Sequence, residues 1–388
     1  MNVTEFLRGF DAETDTSEIV IDRRTGQPRQ AGASQPEGEW IKRFRARAER
    51  SLYVFAKGVL GRDRLTPALH RPTCEWLTKI PPYRKLLLMP RDHYKTTIAS
   101  HVLPMHVHIQ SSESNIYFPG RDGIELRVLL ACETEGRAAK HVRWVETQWE
   151  SNTILRGLWP HKVWDNPQKE SKKWNERELL LPRAKDFADV SLQAIGVGGA
   201  ITGGHFDVMV KDDLTTIEAA NSPIVMQTAI DWHIASRALM DDPDKSLEFV
   251  VGTKWAVHDL PQHIIDNDPT VEMRKHSIVE DGKPIMPGVF SMETVERLKK
   301  EFGVLFPLLY MNDSTDPALT DFSPSDLREY EILDGALMFR EDERDLLLAE
   351  RLNAPRTRTS ASLRGVPLNR DTYDVVFRRN EYLRLRAS

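Results

Sequence analysis

Short apolar runs alternate with helix-like segments through the middle of this chain. The sharpest run is Leu86-Leu87-Leu88-Met89, enclosed by Pro81 and Pro82 on one side and Pro90 on the other. Such a run, bounded by prolines, predicts a strand buried on both faces. Ile98 to Gln110 predicts the helix behind it. Ile124 to Ala131 predicts a second strand, followed by a long helix through Trp144 and Trp149. Glu178 to Pro182, Val190 to Gly196, Phe206 to Asp213 and Phe249 to Ala256 predict four more strands. Upstream, helices are predicted over Glu39 to Gly58 and from Leu69, with Pro72 near the first turn of the latter. Ser111 to Gly123 reads as an insertion or hairpin and Asn152 to Asp165 as a connector. Strands alternating with helices over residues 85–260 predict an α/β fold with a parallel sheet.

Composition narrows the class. The chain has 388 residues, 29% charged and 40% hydrophobic, with a formal net charge of −5, which excludes a uniformly basic nucleic-acid coat but not a local basic channel. No apolar run approaches the roughly 18 residues a membrane helix needs, and Met1 to Gly9 lacks a signal-peptide core. Cys74 and Cys132 form no C-x-x-C pair, which points to a reducing compartment with neither disulfides nor a zinc framework. Residues 1–40 are polar and Gly/Pro/Ser-containing, and read as a flexible arm. The helix after it carries Lys42, Arg43, Arg45, Arg47 and Arg50, which read as a solvated face. From Arg351 to Ser388 nine arginines stand against three acids, and the composition reads as a loop-like basic tail.

Chemistry gathers at the ends of the predicted strands. After Met89 the chain reads Pro90-Arg91-Asp92-His93-Tyr94-Lys95-Thr96-Thr97 and enters a helix. Strand, tight turn, Lys-Thr and helix is the layout that cradles phosphates on backbone N–H groups, with the lysine on the β- and γ-phosphates and the hydroxyl on Mg²⁺. The usual glycines of that loop are replaced by Met89 and Tyr94. The strand from Phe206 ends in Asp212-Asp213, acids suited to hold Mg²⁺ and to polarise a water. Lys211 is out of place there, in a position normally apolar. The strand from Phe249 ends in Gly252-Thr253, a polar residue placed to sense a γ-phosphate. His101, His106 and His108 are not spaced for a metal site and read as ordinary histidines.

Taken in order, these segments resemble the ATPase half of tailed-phage terminase large subunits, the DNA-packaging motors. Pro90-Arg-Asp-His-Tyr-Lys-Thr-Thr is similar to that family's glycine-poor phosphate loop. Gly196 to Leu214 is similar to its glycine-rich turn, Thr-Gly-x-His, strand and Asp-Asp, and Val251 to Leu260 to its coupling motif, with Ala256 where histidine is common. Met286 to Asp313 is similar to the stretch that closes the ATPase region.

The resemblance implies a P-loop NTPase of the ASCE/RecA-like kind, with a mostly parallel central sheet flanked by helices, a small helical subdomain and a basic C-terminal tail. It divides the chain into an arm (1–40), an ATPase core (41–270), a closing segment (271–330) and a tail or nuclease remnant (331–388). The implied cofactors are ATP and Mg²⁺. Pro90 to Thr97 would form the nucleotide loop, with Lys95 on the β/γ-phosphates and Arg91 as a cis arginine finger. Thr96 and Asp212 would hold Mg²⁺, Asp213 would activate water, and Thr253 would couple γ-phosphate loss to movement. Implied partners are double-stranded DNA, a portal protein, a small terminase subunit and further copies in a ring, with no membrane. The implied location is the host cytoplasm, docked transiently on a procapsid.

Only 58 residues follow Tyr330, too few for the family's RNase H-like nuclease, so that activity is expected on a separate polypeptide or beyond this chain. Glu341-Asp-Glu-Arg-Asp, within Phe339 to Leu352, reads as a charged helix face instead. Three other readings stay open. A helicase or other translocase needs a second RecA-like domain, and no second phosphate loop follows residue 260. A non-catalytic DNA- or capsid-binding protein with a decayed site would explain Tyr94, Lys211 and Asp213. A complete terminase with a very small nuclease would cut plasmids with Mn²⁺.

Overall fold

Leu86, Leu87, Leu88 and Met89 carry no exposed surface, as the prolines around them suggested. The computed structural model describes residues 19–21, 28–30, 37–200, 203–314, 330–333, 336–340 and 363–367, with side chains over 41–200 and 203–314. Met1–Ser314 forms one compact unit and Thr315–Ser388 another. In the first, helices α1 (Glu37–Arg50) and α2 (Pro67–Thr78) precede strand β1 (Arg84–Leu88). A wide helical turn over Thr97–Val102 continues as α3 (Leu103–Ile109), then come β2 (Val128–Cys132) and α4 (Glu135–Ser151). Strands β3 (Glu178–Leu179), β4 (Leu192–Gly196) and β5 (Val208–Asp212) follow, then α5 (Pro223–Ala235). β6 (Leu247–Gly252), α6 (Leu260–Asn267) and β7 (Val271–Lys275) complete the sheet, and α7 (Met292–Phe302) and α8 (Phe306–Met311) close the unit.

The seven strands lie in the order β3-β4-β2-β5-β6-β1-β7. Only β3 runs antiparallel to its neighbour; the other pairs are parallel. Successive residues of a strand serve opposite layers. Leu87, Phe249 and Val251 pack with Val102, Leu103 and Val142 of the α3–α4 layer. Leu86, Leu88 and Val250 pack with Met226, Ile230, Leu260 and Ile264 of the α5–α6 layer. Each such buried side chain contributes roughly 1.5–3 kcal/mol. This is an α/β fold with a mostly parallel central sheet flanked by helices, as the alternation predicted. Among the described residues no helix is long and apolar enough to cross a membrane.

Several boundaries differ from the sequence reading. The second strand starts at Val128 rather than Ile124, because the Asp122 carboxylate accepts from the Ile124 N–H and caps a short turn over Gly123–Glu125. The helix expected over Glu39 to Gly58 breaks at Ser51, whose hydroxyl caps a new turn at the Val54 N–H. Pro67, not Pro72, occupies the first turn of α2, and Pro72 lies inside it. The segment 271–330 opens with a strand of the main sheet, β7 beside β1, which the sequence reading left without a strand. In the second unit, β8 (Tyr330–Leu333), β9 (Ala336–Arg340) and β10 (Leu363–Pro367) form an antiparallel sheet where a loop-like tail was expected. Phe339 and Arg340 belong to β9, and the charged segment 341–352 lies outside the described residues. Most of the N-terminal arm, and Ile201 and Thr202 of the glycine-rich turn, do so too.

Lys211, the odd residue of β5, is fully buried and paired. Its Nζ lies 2.5 Å from Glu248 Oε1 on β6 and donates to the His233 carbonyl of α5 at 2.9 Å. Arg237 holds the other oxygen of Glu248 at 2.7 Å and reaches Asp268 at 2.6 Å. Burial pushes the Glu248 carboxyl up, but Lys211, His233 and Arg237 outweigh it and hold it down at about 2. Removing one partner of such a pair strands a buried charge. Lys211→Ala is expected to lower unfolding free energy by about 3–5 kcal/mol in urea titrations, with Lys211→Met/Glu248→Gln recovering much of the loss. A cost below about 1 kcal/mol for Lys211→Ala would show that the pair does not hold the sheet.

Candidate functional site

The turn after β1 is wound tightly by two residues in the left-handed region, Asp92 (φ 63°) and Tyr94 (φ 61°). Tyr94 thus adopts the backbone conformation for which glycine is normally chosen, at a strain of about 1–2 kcal/mol. Its ring lies edge-on to His70 at 5.9 Å, and Arg64 donates to its hydroxyl at 3.5 Å. The turn is pinned from behind. His93 is buried, its ring stacked on Phe290 at 4.7 Å, and its carbonyl meets His70 Nε2 at 3.2 Å. The Arg91 N–H donates to the Leu309 carbonyl of α8 at 3.2 Å. Pro90 and His93, counted as loop binding residues from sequence, are therefore packed inward.

Beyond the turn, the chain enters its helix with Thr96 and Ser100 facing the end of β5. Thr96 Oγ1 donates to Asp212 Oδ1 at 3.2 Å and Ser100 Oγ to Asp212 Oδ2 at 2.6 Å. Asp213, in the left-handed region at φ 45°, lies 3.7 Å from Lys95 Nζ through Oδ2. Its Oδ1 is buried without a hydrogen-bond partner. Thr253, just past β6, donates weakly to the Met89 carbonyl at 3.4 Å, closing the gap between β6 and β1. The connections leaving β1 and β6 set off in opposite directions across the sheet, toward β2 and β7. A crevice at the carboxyl ends of such strands is where open α/β sheets bind ligands.

No protein-family model and no curated protein matches the chain.

A cavity of about 450 Å³ opens over the turn. Arg91, Asp92, Tyr94, Lys95, Thr96 and Thr97 line it from the turn, and Asp213 and Thr253 from the strand ends, so most of the sequence-predicted residues converge. Asp212 is reached from a second, adjoining cavity. Arg64, Arg137, Thr216 and Trp255 also line the first cavity and were missed, as was Ser100 beneath it. Trp255 lies in the Val251 to Leu260 segment but was not singled out there, and Arg64 and Arg137 come from segments distant in sequence. The guanidinium of Arg91 sits 5.4 Å over the Trp255 ring. Four cations against Asp92 and Asp213 give the cavity a surplus of positive charge suited to a polyanion.

His101, His106 and His108 each have a partner within the fold. His106 bridges the Tyr117 hydroxyl and the Ala48 carbonyl at 2.7 and 2.9 Å, and His108 meets the Ser191 carbonyl at 3.0 Å. Both cysteines are buried and unpaired with each other. Among the described residues no group of three or more His, Cys, Asp or Glu side chains could hold a metal unaided.

Burial, and then the charge of Asp213, push the Asp212 carboxyl up to about 6, against the pull of Ser100, Lys95 and Thr96. A carboxyl raised in the folded state binds its proton more tightly there than in the unfolded chain. Its contribution therefore destabilises the fold as pH rises from about 4 to 6, by on the order of 2–3 kcal/mol. Asp212→Asn is expected to remove that component, seen as a flatter pH dependence of the urea midpoint over this window. Parallel curves for wild type and variant would refute the raised value.

Proposed function

We propose that this chain is the ATP-hydrolysing motor subunit of a viral terminase, a P-loop NTPase that moves double-stranded DNA into a procapsid. The observation that carries the reading is the convergence on Asp212. Hydroxyls from the helix after the Lys95 turn reach its carboxylate, while Lys95 itself faces Asp213. Three separately weak sequence signals thus meet in one crevice, and the surplus positive charge of the cavity suits a nucleoside triphosphate.

The site also fits a divalent cation. Two adjacent carboxylates stand at the end of β5, Asp212 buried and Asp213 with an orphaned oxygen, and they supply the hard oxygen donors such an ion takes. Thr96 and Asp212 would hold Mg²⁺, which when bound neutralises phosphate charge. Lys95 binds the β- and γ-phosphates, and Arg91 stabilises the charge that grows as the terminal phosphoryl group departs. Asp213 orients the attacking water. Thr253 lies between the strand end beneath the turn and Lys254, whose N–H donates to Asn312 Oδ1 just past α8 at 3.2 Å. Because the Arg91 N–H also ends on α8, the turn and Thr253 share one mechanical outlet.

DNA would be gripped through its phosphates, without sequence preference and with strong salt sensitivity. A ring of copies, a portal protein, a small terminase subunit and a separately encoded nuclease complete the proposed machine, assembled in the host cytoplasm on the procapsid. The reading of a decayed, non-catalytic site loses two of its supports. Lys211 has a structural partner, and Tyr94 supplies the left-handed turn that glycine would have supplied.

Lys95→Ala and Asp212→Ala are each expected to lower ATP turnover by roughly 10²–10³-fold while leaving the circular dichroism spectrum unchanged. Wild-type turnover in both variants would sink the assignment. Nucleotide affinity that is indifferent to Mg²⁺ would favour the decayed site.

A further inference from the structure

Behind the two aspartates lies a second cavity, of about 230 Å³. Thr96, Arg137 and Asp213 line both cavities, so they form the partition between them. The far wall comes from the first turns of α4, with Lys140 and His141, and the floor from Cys132 and Asp212. That wall is rigidly placed. A Cβ on Gly196 would lie 2.4 Å from the backbone nitrogen of Glu135, so only glycine lets the start of α4 approach β4 this closely. Glu133 anchors Arg137 at 3.2 Å and accepts from the Thr216 hydroxyl. His141 is held through Nδ1 by His101 at 2.9 Å, whose ring stacks on Trp144 at 4.5 Å.

The lining has a definite chemistry. Arg137 and Lys140 offer hydrogen-bond donors to an anion, and the imidazole of His141 stands beside them, while Asp212 and Asp213 repel one from the opposite side. Such a seat holds a small oxyanion without trapping it. Its position relative to the first cavity identifies which one. In the hydrolysis proposed above, the β,γ-bridging P–O bond breaks as the water oxygen bonds to the γ-phosphorus. The products are ADP, inorganic phosphate and one proton. ADP then fills the first cavity, and the phosphate is formed at the partition.

We propose that the cavity lined by Arg137, Lys140 and His141 is a transit site for inorganic phosphate, through which the product leaves while ADP still occupies the turn. This rests on the ATPase reading for its biological sense but not for its test. Lys140 is exposed, so replacing it leaves the core packing intact.

The test is to titrate inorganic phosphate into the full chain by calorimetry, first with saturating ADP and Mg²⁺ and then without nucleotide. With ADP present, Lys140→Ala is expected to weaken phosphate binding by about tenfold or more, and Lys140→Arg by no more than about threefold, with ADP affinity unchanged in both. Equal phosphate affinity in wild type and Lys140→Ala, or no phosphate binding to the wild type, overturns the proposal. Should ADP fail to bind at all, the ATPase reading falls. The nucleotide-free titration then decides the cavity alone, by the same dependence on Lys140.

Discussion

Two consecutive buried charges, Lys211 and Asp212, stand on opposite faces of the central sheet, and each is satisfied from its own layer. A strand alternates its side chains, so neither residue can borrow the other's partners. On one face Lys211 is met by Glu248 and the His233 carbonyl, tying β5 to β6 and α5. On the other, Asp212 is met by the hydroxyls of Thr96 and Ser100, tying the same strand to the helix that follows the turn. A slip of one residue in β5 would exchange the two faces and leave both charges stranded. The register of the sheet and the geometry of the site are thus set together.

How much of this was legible depended on how local the cause was. Apolar runs and turn residues made the sheet readable, because burial on both faces leaves its mark within the strand itself. Boundaries failed where a single side chain, Asp122 or Ser51, capped a turn that propensity did not anticipate. β7 was missed because an edge strand needs little apolar surface, and Val271-Glu-Met-Arg-Lys alternates with charges. Lys211 looked anomalous because its partner lies 37 positions away on another strand.

The site shows the same division. Asp212, Asp213 and Thr253 were legible because each stands at a strand end, and Lys95 and Thr96 because they open the helix after the turn. Ser100 was not, since a serine one helical turn beyond the loop carries no signal until the helix is placed. Arg64 and Arg137 were invisible for a similar reason, as a positive cavity is a sum over segments that only folding brings together. Tyr94 is instructive in the opposite sense. Glycine is the usual residue at this position, whereas the fold requires only a positive φ and supplies contacts from His70 and Arg64 that hold a larger residue there.

The wide turn at Thr97–Val102 gives the helix behind the loop two independent phases. There the Leu103 N–H bonds to the Ile98 carbonyl, five residues back instead of four. One residue more than an α-turn is accommodated without lengthening the helix much, and everything before it is rotated by about 100° relative to everything after. Thr96, just before it, and Ser100, within it, address the carboxylate at the sheet edge. Downstream, Leu103 and Val107 address the core. The bulge acts as a fixed gear between a face that binds and a face that packs. Residue count through this segment, more than the identity of any one side chain, keeps the two in mesh.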